Sequence, residues 1–112
     1  MKNIINGQIG EELATELLKK KSYKILQRNY KNVLGEIDII AKDKDYLLFV
    51  EVKFRNTRMF GRASEAVDKR KQHKIRQVAL LYLKQKRQLE SNVRFDVVEV
   101  YDNEINHIEN AF

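Results

Sequence analysis

Apolar residues near the start of the chain recur at helical spacing. Ile9, Leu13, Ala14, Leu17 and Leu18 form one stripe, which predicts a helix with a single buried face. Asn6 or Gly7 is its expected cap, Glu11 and Glu12 occupy its early turns, and it is expected to run to about Lys21. The period then shortens to two. Tyr23 to Tyr30 alternates in part, Val33 to Ala41 alternates well, and Tyr46 to Phe54 is rich in β-branched and aromatic residues. These segments predict three strands, the last two joined by a tight polar turn within Lys42-Asp-Lys-Asp45. A polar loop from Arg55 to Gly61 leads into a long helical pattern from about Ser64 to Arg87. Ser91-Asn92 breaks that pattern, Val93 to Tyr101 reads as a strand, and Ile105 to Glu109 follows the Asp102-Asn103 turn as a short last one. The order is αβββαβ with a terminal β extension, which predicts an α/β fold with helices packed on a mixed sheet.

The 112 residues suit one domain spanning 1–112. With 43% apolar and 34% charged residues the composition is that of a globular chain. The absence of cysteine excludes thiol nucleophiles, disulfides and Cys-type zinc sites. The longest apolar runs, Tyr46–Val50 and Val78–Leu83, fall far short of the ~20 residues that span a bilayer. Met1 to Leu13 lacks the apolar core of a signal peptide. A cytoplasmic location with no membrane partner is therefore expected.

Charge changes the picture more than composition does. The net charge is +6, yet residues 53–76 alone carry +7 and the remainder −1. The basic side chains there include Lys53, Arg55, Arg58, Arg62, Lys69, Lys71 and Lys74. One concentrated field of this sign suits a phosphate backbone. A solvated lysine-rich helix face is the plain alternative.

Some polar residues interrupt strands that are otherwise apolar. Glu36, Asp38 and Ile40 share one expected face, opposite Ile37 and Ile39. On the next strand Phe49, Glu51 and Lys53 share a face. A two-residue loop at Lys44-Asp45 sets Asp38 directly across from Glu51, and a four-residue loop sets Glu36 there instead. An odd-length loop separates the carboxylates. Opposed like charges destabilise a sheet, and a hard divalent cation with oxygen ligands relieves them. Asp38, Glu51 and Lys53 thus point to a Mg2+ (or Mn2+) site for phosphodiester chemistry. The alternative is an ordinary solvent-facing sheet surface. On the long helix, Lys71 lies ~40° and Lys74 ~20° from Val67, within the apolar stripe. They either snorkel over the core edge or face a polar cleft. His73 and His107 have no metal-ligand spacing and read as surface residues.

In combination, Gly7-x-x-Gly10-Glu11-x-x-Ala14, Arg28-Asn29, Gly35-Glu-Ile-Asp38, Phe49-Val-Glu-Val-Lys53 and Arg55 form a pattern, continued by Ala66-Val67, Lys71, Tyr82-Leu83 and Arg94-Phe-Asp-Val-Val98. This pattern resembles the YraN-like (UPF0102) bacterial family, placed in the PD-(D/E)XK nuclease superfamily near Holliday junction resolvases. The resemblance implies a restriction-endonuclease-like core and a metal-dependent endonuclease acting on DNA, with branched or junction DNA as a candidate substrate. It implies Asp38 and Glu51 as metal ligands, Lys53 as the catalytic lysine and Glu11 as the helix-borne glutamate completing the metal site. It also implies a symmetric homodimer. Ile37 stands where the superfamily's name has proline. On the helical wheel Glu11 borders Ala14 and Leu18 whereas Glu12 joins the outer face, and a helix-dipole partner is the plainer role for Glu11. The basic residues Arg55, Arg58, Arg62, Lys69, Lys71 and Lys74 are the expected phosphate contacts. A non-catalytic nucleic-acid-binding module of the same fold, and a protein-interaction domain, are the alternatives.

Overall fold

The computed structural model describes residues 2–55, 67–102 and 104–112, with side chains from residue 8 onward. Helix α1 (Lys2–Lys20) precedes strands β1 (Lys24–Asn32), β2 (Gly35–Asp43) and β3 (Tyr46–Phe54), then helix α2 (Lys69–Gln85) and strands β4 (Asn92–Tyr101) and β5 (Glu104–Ile108). The predicted αβββαβ order with its β extension is the observed one. The five strands form one sheet in the order β1-β2-β3-β4-β5. Only β3 and β4 run parallel, because α2 carries the chain across one face between them.

Each face of the sheet buries its own cluster. Ile40, Leu47, Phe49 and Val97 pack against Ile75, Val78, Ala79, Tyr82 and Leu83 of α2. Ile39, Leu48, Val50, Val98 and Val100 pack against Ala14 and Leu18 of α1. Ile9 of the predicted stripe is instead exposed.

Both helices differ from their expected bounds for identifiable reasons. α1 extends back through Gly7 and Asn6 to Lys2; a glycine inside a helix costs only about 1 kcal/mol, so cap-forming residues permit an end without imposing one. It stops where Ser22 turns to φ 69 and the Tyr23 amide donates to the Leu18 carbonyl, a left-handed C-terminal cap. α2 begins after Asp68, whose carboxylate accepts the Lys71 amide at 2.8 Å; the expected start at Ser64 lies outside the described residues. Arg87, at φ 56, ends it in the same way as Ser22 ends α1.

The β2–β3 turn is the two-residue one at Lys44-Asp45, with Asp43 paired to Tyr46 and Ile39 to Val50. The β1–β2 turn falls on Val33-Leu34, since Asn32 pairs with Gly35. Val33 therefore begins no strand. The Asn32 side-chain oxygen accepts the Leu34 amide at 2.9 Å and closes the turn there.

Candidate functional site

The strands bring the interrupting carboxylates together at one end of the sheet. The regular β2–β3 ladder stops at Ile39–Val50, and beyond it Asp38 Oδ2 accepts the Val52 amide at 2.8 Å. A side chain thus replaces the backbone ladder at this point. The expected alternation fails here: Ile37 packs in the α2-side cluster and Ile39 in the α1-side cluster, so Ile37 and Ile39 do not share a face. The irregularity centres on Asp38.

Glu51 follows Val50 on β3, with its side chain 14% exposed. Burial, the hydrogen bond with Asp38 and the negative charge of Asp38 push its pKa from 4.5 up to about 8, against the opposing pull of Lys71. Lys71 Nζ, from the first turn of α2, lies 3.4 Å from Glu51 Oε2. Its place on the apolar stripe is explained: that end of the stripe faces carboxylates rather than core. Asp38, Glu51, Lys53 and Lys71, with Val52, Val67 and Asp68, line one hollow of ≈ 370 Å³.

Glu11 approaches from α1. Gly10 lets the helix come close, because a Cβ there would fall 2.4 Å from the Phe54 ring at the end of β3. Burial and then the charge of Asp38 raise the pKa of Glu11, while Arg28 and Asn29 pull it down. Glu11 Oε1 and Arg28 Nε face each other at 3.4 Å without the alignment of a hydrogen bond, and both atoms are buried and otherwise unpartnered among the described residues. Glu12 pairs with Arg28 at 2.9 Å on the outer side. Glu11 is thus within electrostatic reach of Asp38 but does not line the hollow. Among the described residues no three acidic or histidine groups form a ready metal cage. The Asp38–Glu51 pair alone still fits a magnesium-like ion, which retains several waters and needs only one or two carboxylates.

The basic residues separate. Arg55 turns inward, its Nε 3.2 Å from Glu99, whose side chain is fully buried. Lys69 is exposed at the start of α2, and Lys74 lines a neighbouring hollow with Lys31 and Glu36. Arg58 and Arg62 lie outside the described residues. Glu36 pairs with Lys31 at 3.7 Å, away from Glu51.

Several polar residues near the site were not singled out in the sequence. Arg28 and Asn29, which hold Glu11, were marked there only by the family pattern. Glu99, beside Lys53 in the β3–β4 register, had the same signal as Glu51, an acid within an apolar strand. It accepts from Asn106 at 3.0 Å. His107 is not a surface residue: its side chain is 2% exposed and its Nε2 lies 2.8 Å from Asp96. Lys21 donates to His107 Nδ1 at 2.8 Å, which leaves Nε2 to carry the proton toward Asp96. Arg94 binds Asp96 through Nε at 2.9 Å and Nη2 at 3.0 Å. This second buried cluster is remote in sequence from every predicted site residue. Its partners converge from the α1–β1 turn, β4 and β5, and only Arg94 and Asp96 were marked in the sequence, by the family pattern.

Among the described residues no helix is long and apolar enough to cross a membrane. Comparison with known sequences agrees with the pattern in the chain. A UPF0102 protein of Alkaliphilus oremlandii (strain OhILAs) is 53% identical over 112 residues, covering 95% of this chain and 96% of the relative. A UPF0102 protein of Desulfosudis oleivorans is 50% identical over 108 residues, covering 95% and 88%, and one of Thermodesulfovibrio yellowstonii is 45% identical, covering 100% and 99%. The family described as "Uncharacterised protein family UPF0102" matches residues 10–100, and the chain belongs to that family.

Proposed function

We propose that the protein is a divalent-metal-dependent endonuclease that hydrolyses DNA phosphodiesters in the cytoplasm. The observation that carries this reading is the Asp38–Glu51 pair, two carboxylates lining one partly buried hollow with Lys71 3.4 Å from Glu51. Holding two acids together is unfavourable without a cation, and Mg2+ or Mn2+ fits the oxygen donors present. When bound, the ion supplies an activated water and neutralises charge on the phosphate. Asp38 and Glu51 would hold it. The Val52 amide fixes the Asp38 carboxylate, so that ligand needs little reorganisation. Lys53 lines the same hollow, where its ammonium would donate to a water or a phosphoryl oxygen. Lys71 offsets the negative charge, and Glu11, braced by Arg28, adds to the field at Asp38. Lys69 and Lys74 contact phosphates along the strand.

The test is cleavage of plasmid, nicked and branched DNA with Mg2+ or Mn2+. Activity lost in both Asp38→Ala and Lys53→Ala supports the reading. Wild-type protein that cuts no better than these variants on every substrate overturns it. The lack of a three-ligand cage among the described residues favours one alternative, a nucleic-acid-binding module without catalysis. Calorimetry separates the two, since that module shows no Mn2+ binding dependent on Asp38 and Glu51.

A further inference from the structure

The β1–β2 turn presents two apolar side chains to solvent where turns ordinarily carry Asn, Gly, Asp or Ser. Val33 is 90% exposed and Leu34 44%. The tip is nevertheless held firmly. Asn32 donates through Nδ2 to the Val78 carbonyl of α2 at 3.2 Å and to Tyr30 Oη at 3.1 Å, while its Oδ1 accepts the Leu34 amide. Gly35 takes φ +148, and a Cβ there would come within 3.1 Å of Val78 and 3.3 Å of Lys74. The turn is thus pinned against α2 with its apolar residues directed outward.

The surroundings indicate what meets this tip. Val33 and Leu34 border a hollow of ≈ 440 Å³ that also contains Lys31, Lys71, Lys74 and one acid, Glu36. Lys71 lines both this hollow and the one holding Asp38 and Glu51. A polyanion seated on Lys71 and Lys74 therefore passes from the carboxylates to the apolar tip without leaving positive surface. Rigid apolar side chains flanked by cations match the wedges with which proteins part a base step. Unstacking is least unfavourable where the stack is already interrupted.

We infer that Val33 and Leu34 form a wedge that enters the base stack of duplex DNA at an interruption, such as a nick or mismatch, while Lys31, Lys71 and Lys74 hold the adjoining phosphates. The inference rests on the nucleic-acid reading above but does not require catalysis.

The test uses duplexes carrying 2-aminopurine beside a nick or mismatch, and a continuous control, in EDTA so that no strand is cut. Wild-type protein is expected to raise the fluorescence at the interrupted step and to bind that duplex more tightly than the control. Val33→Ser/Leu34→Ser should abolish the rise and weaken binding to the interrupted duplex roughly tenfold, the scale of one lost stacking contact, with the control unchanged. Both side chains are exposed, so folding is preserved, and matched thermal unfolding checks this. A second variant, Lys31→Gln/Lys74→Gln, should weaken both duplexes and reduce the salt dependence. The wedge is overturned if wild-type protein gives no rise, if the serine variant keeps the rise or weakens both duplexes equally, or if sedimentation shows that it dissociates a dimer. Unstacking without cleavage in Mg2+ removes catalysis and keeps the wedge; cleavage without unstacking does the reverse.

Discussion

Replacing Glu51 by Gln tests whether the carboxylate pair is under electrostatic stress. In the folded protein the Glu51 pKa is raised from 4.5 to about 8 by burial first and by Asp38 second. A raised carboxyl pKa stabilises the fold in its protonated form, fully so below the unfolded value, and that contribution is lost as pH climbs toward 8. At about 1.36 kcal/mol per pH unit, the interval from 4.5 to neutrality corresponds to at most about 3 kcal/mol. Part of this is shared with Asp38, so about 1–3 kcal/mol is the expected observable. Glutamine keeps the shape, presents its amide N–H to Asp38 and its oxygen to Lys71, and removes the charge. In EDTA at neutral pH, Glu51→Gln should raise Tm by about 5–10 °C, as that free energy implies for a domain of this size. Below pH 4.5, the ordinary value for Glu51, variant and wild type should melt together. Millimolar Mn2+ should stabilise the wild type at neutral pH and leave the variant nearly unchanged. Calorimetric or CD melts across pH give all three results. A variant less stable than wild type at neutral pH in EDTA, or one stabilised equally in acid, refutes the reasoning.

Three further outcomes follow from the packing. Gly10→Ala should cost about 1–2 kcal/mol in urea titrations, because its Cβ would overlap the Phe54 ring, but should stabilise by about 1 kcal/mol in a Phe54→Ala background. Asp96→Asn should cost about 3 kcal/mol by removing the fully buried charge that faces Arg94, whose other carboxylates, Asp43 and Glu109, are partly exposed. Burial alone would raise the Asp96 pKa, but hydrogen bonds from His107, Arg94 and the Asn110 amide bring it below 3.8. Wild-type protein therefore loses stability as pH falls through that lowered value, and the Asn variant should show a flatter acid limb in pH-dependent melts. Tyr23→Phe should cost about 1 kcal/mol in chemical denaturation, since the hydroxyl both donates to Glu109 at 2.7 Å and accepts from Arg94 at 3.0 Å.

The element order and the position of the β2–β3 turn were legible because hydrophobic period and turn chemistry act locally. Of the loop lengths the sequence left open, the two-residue turn at Lys44-Asp45 is the one formed, and Asp38 and Glu51 meet just beyond the end of that ladder. The lysines on the α2 stripe also carried a readable signal, and Lys71 at Glu51 accounts for it. What the sequence concealed depends on distant segments. The face change at Asp38 arises from its bond to Val52, which strict alternation cannot anticipate. Arg55 is drawn inward by Glu99 across the parallel pair. His107 is enclosed by Lys21, Tyr23 and Asp96, which are distant from it or from one another along the chain.

The single parallel pairing between β3 and β4 separates the site's components in time as well as in sequence. Asp38 and Glu51 belong to one antiparallel hairpin whose contacts are short in range, and short-range contacts form early. Lys71 arrives on the crossover helix, 20 residues beyond Glu51, whereas Asp38 and Glu51 are 13 apart across one hairpin. During folding the acids therefore meet before their cation does, and their repulsion weighs on the transition state more than on the finished fold. Whatever relieves it, a metal ion or a neutral residue at position 51, should act on the folding rate rather than the unfolding rate.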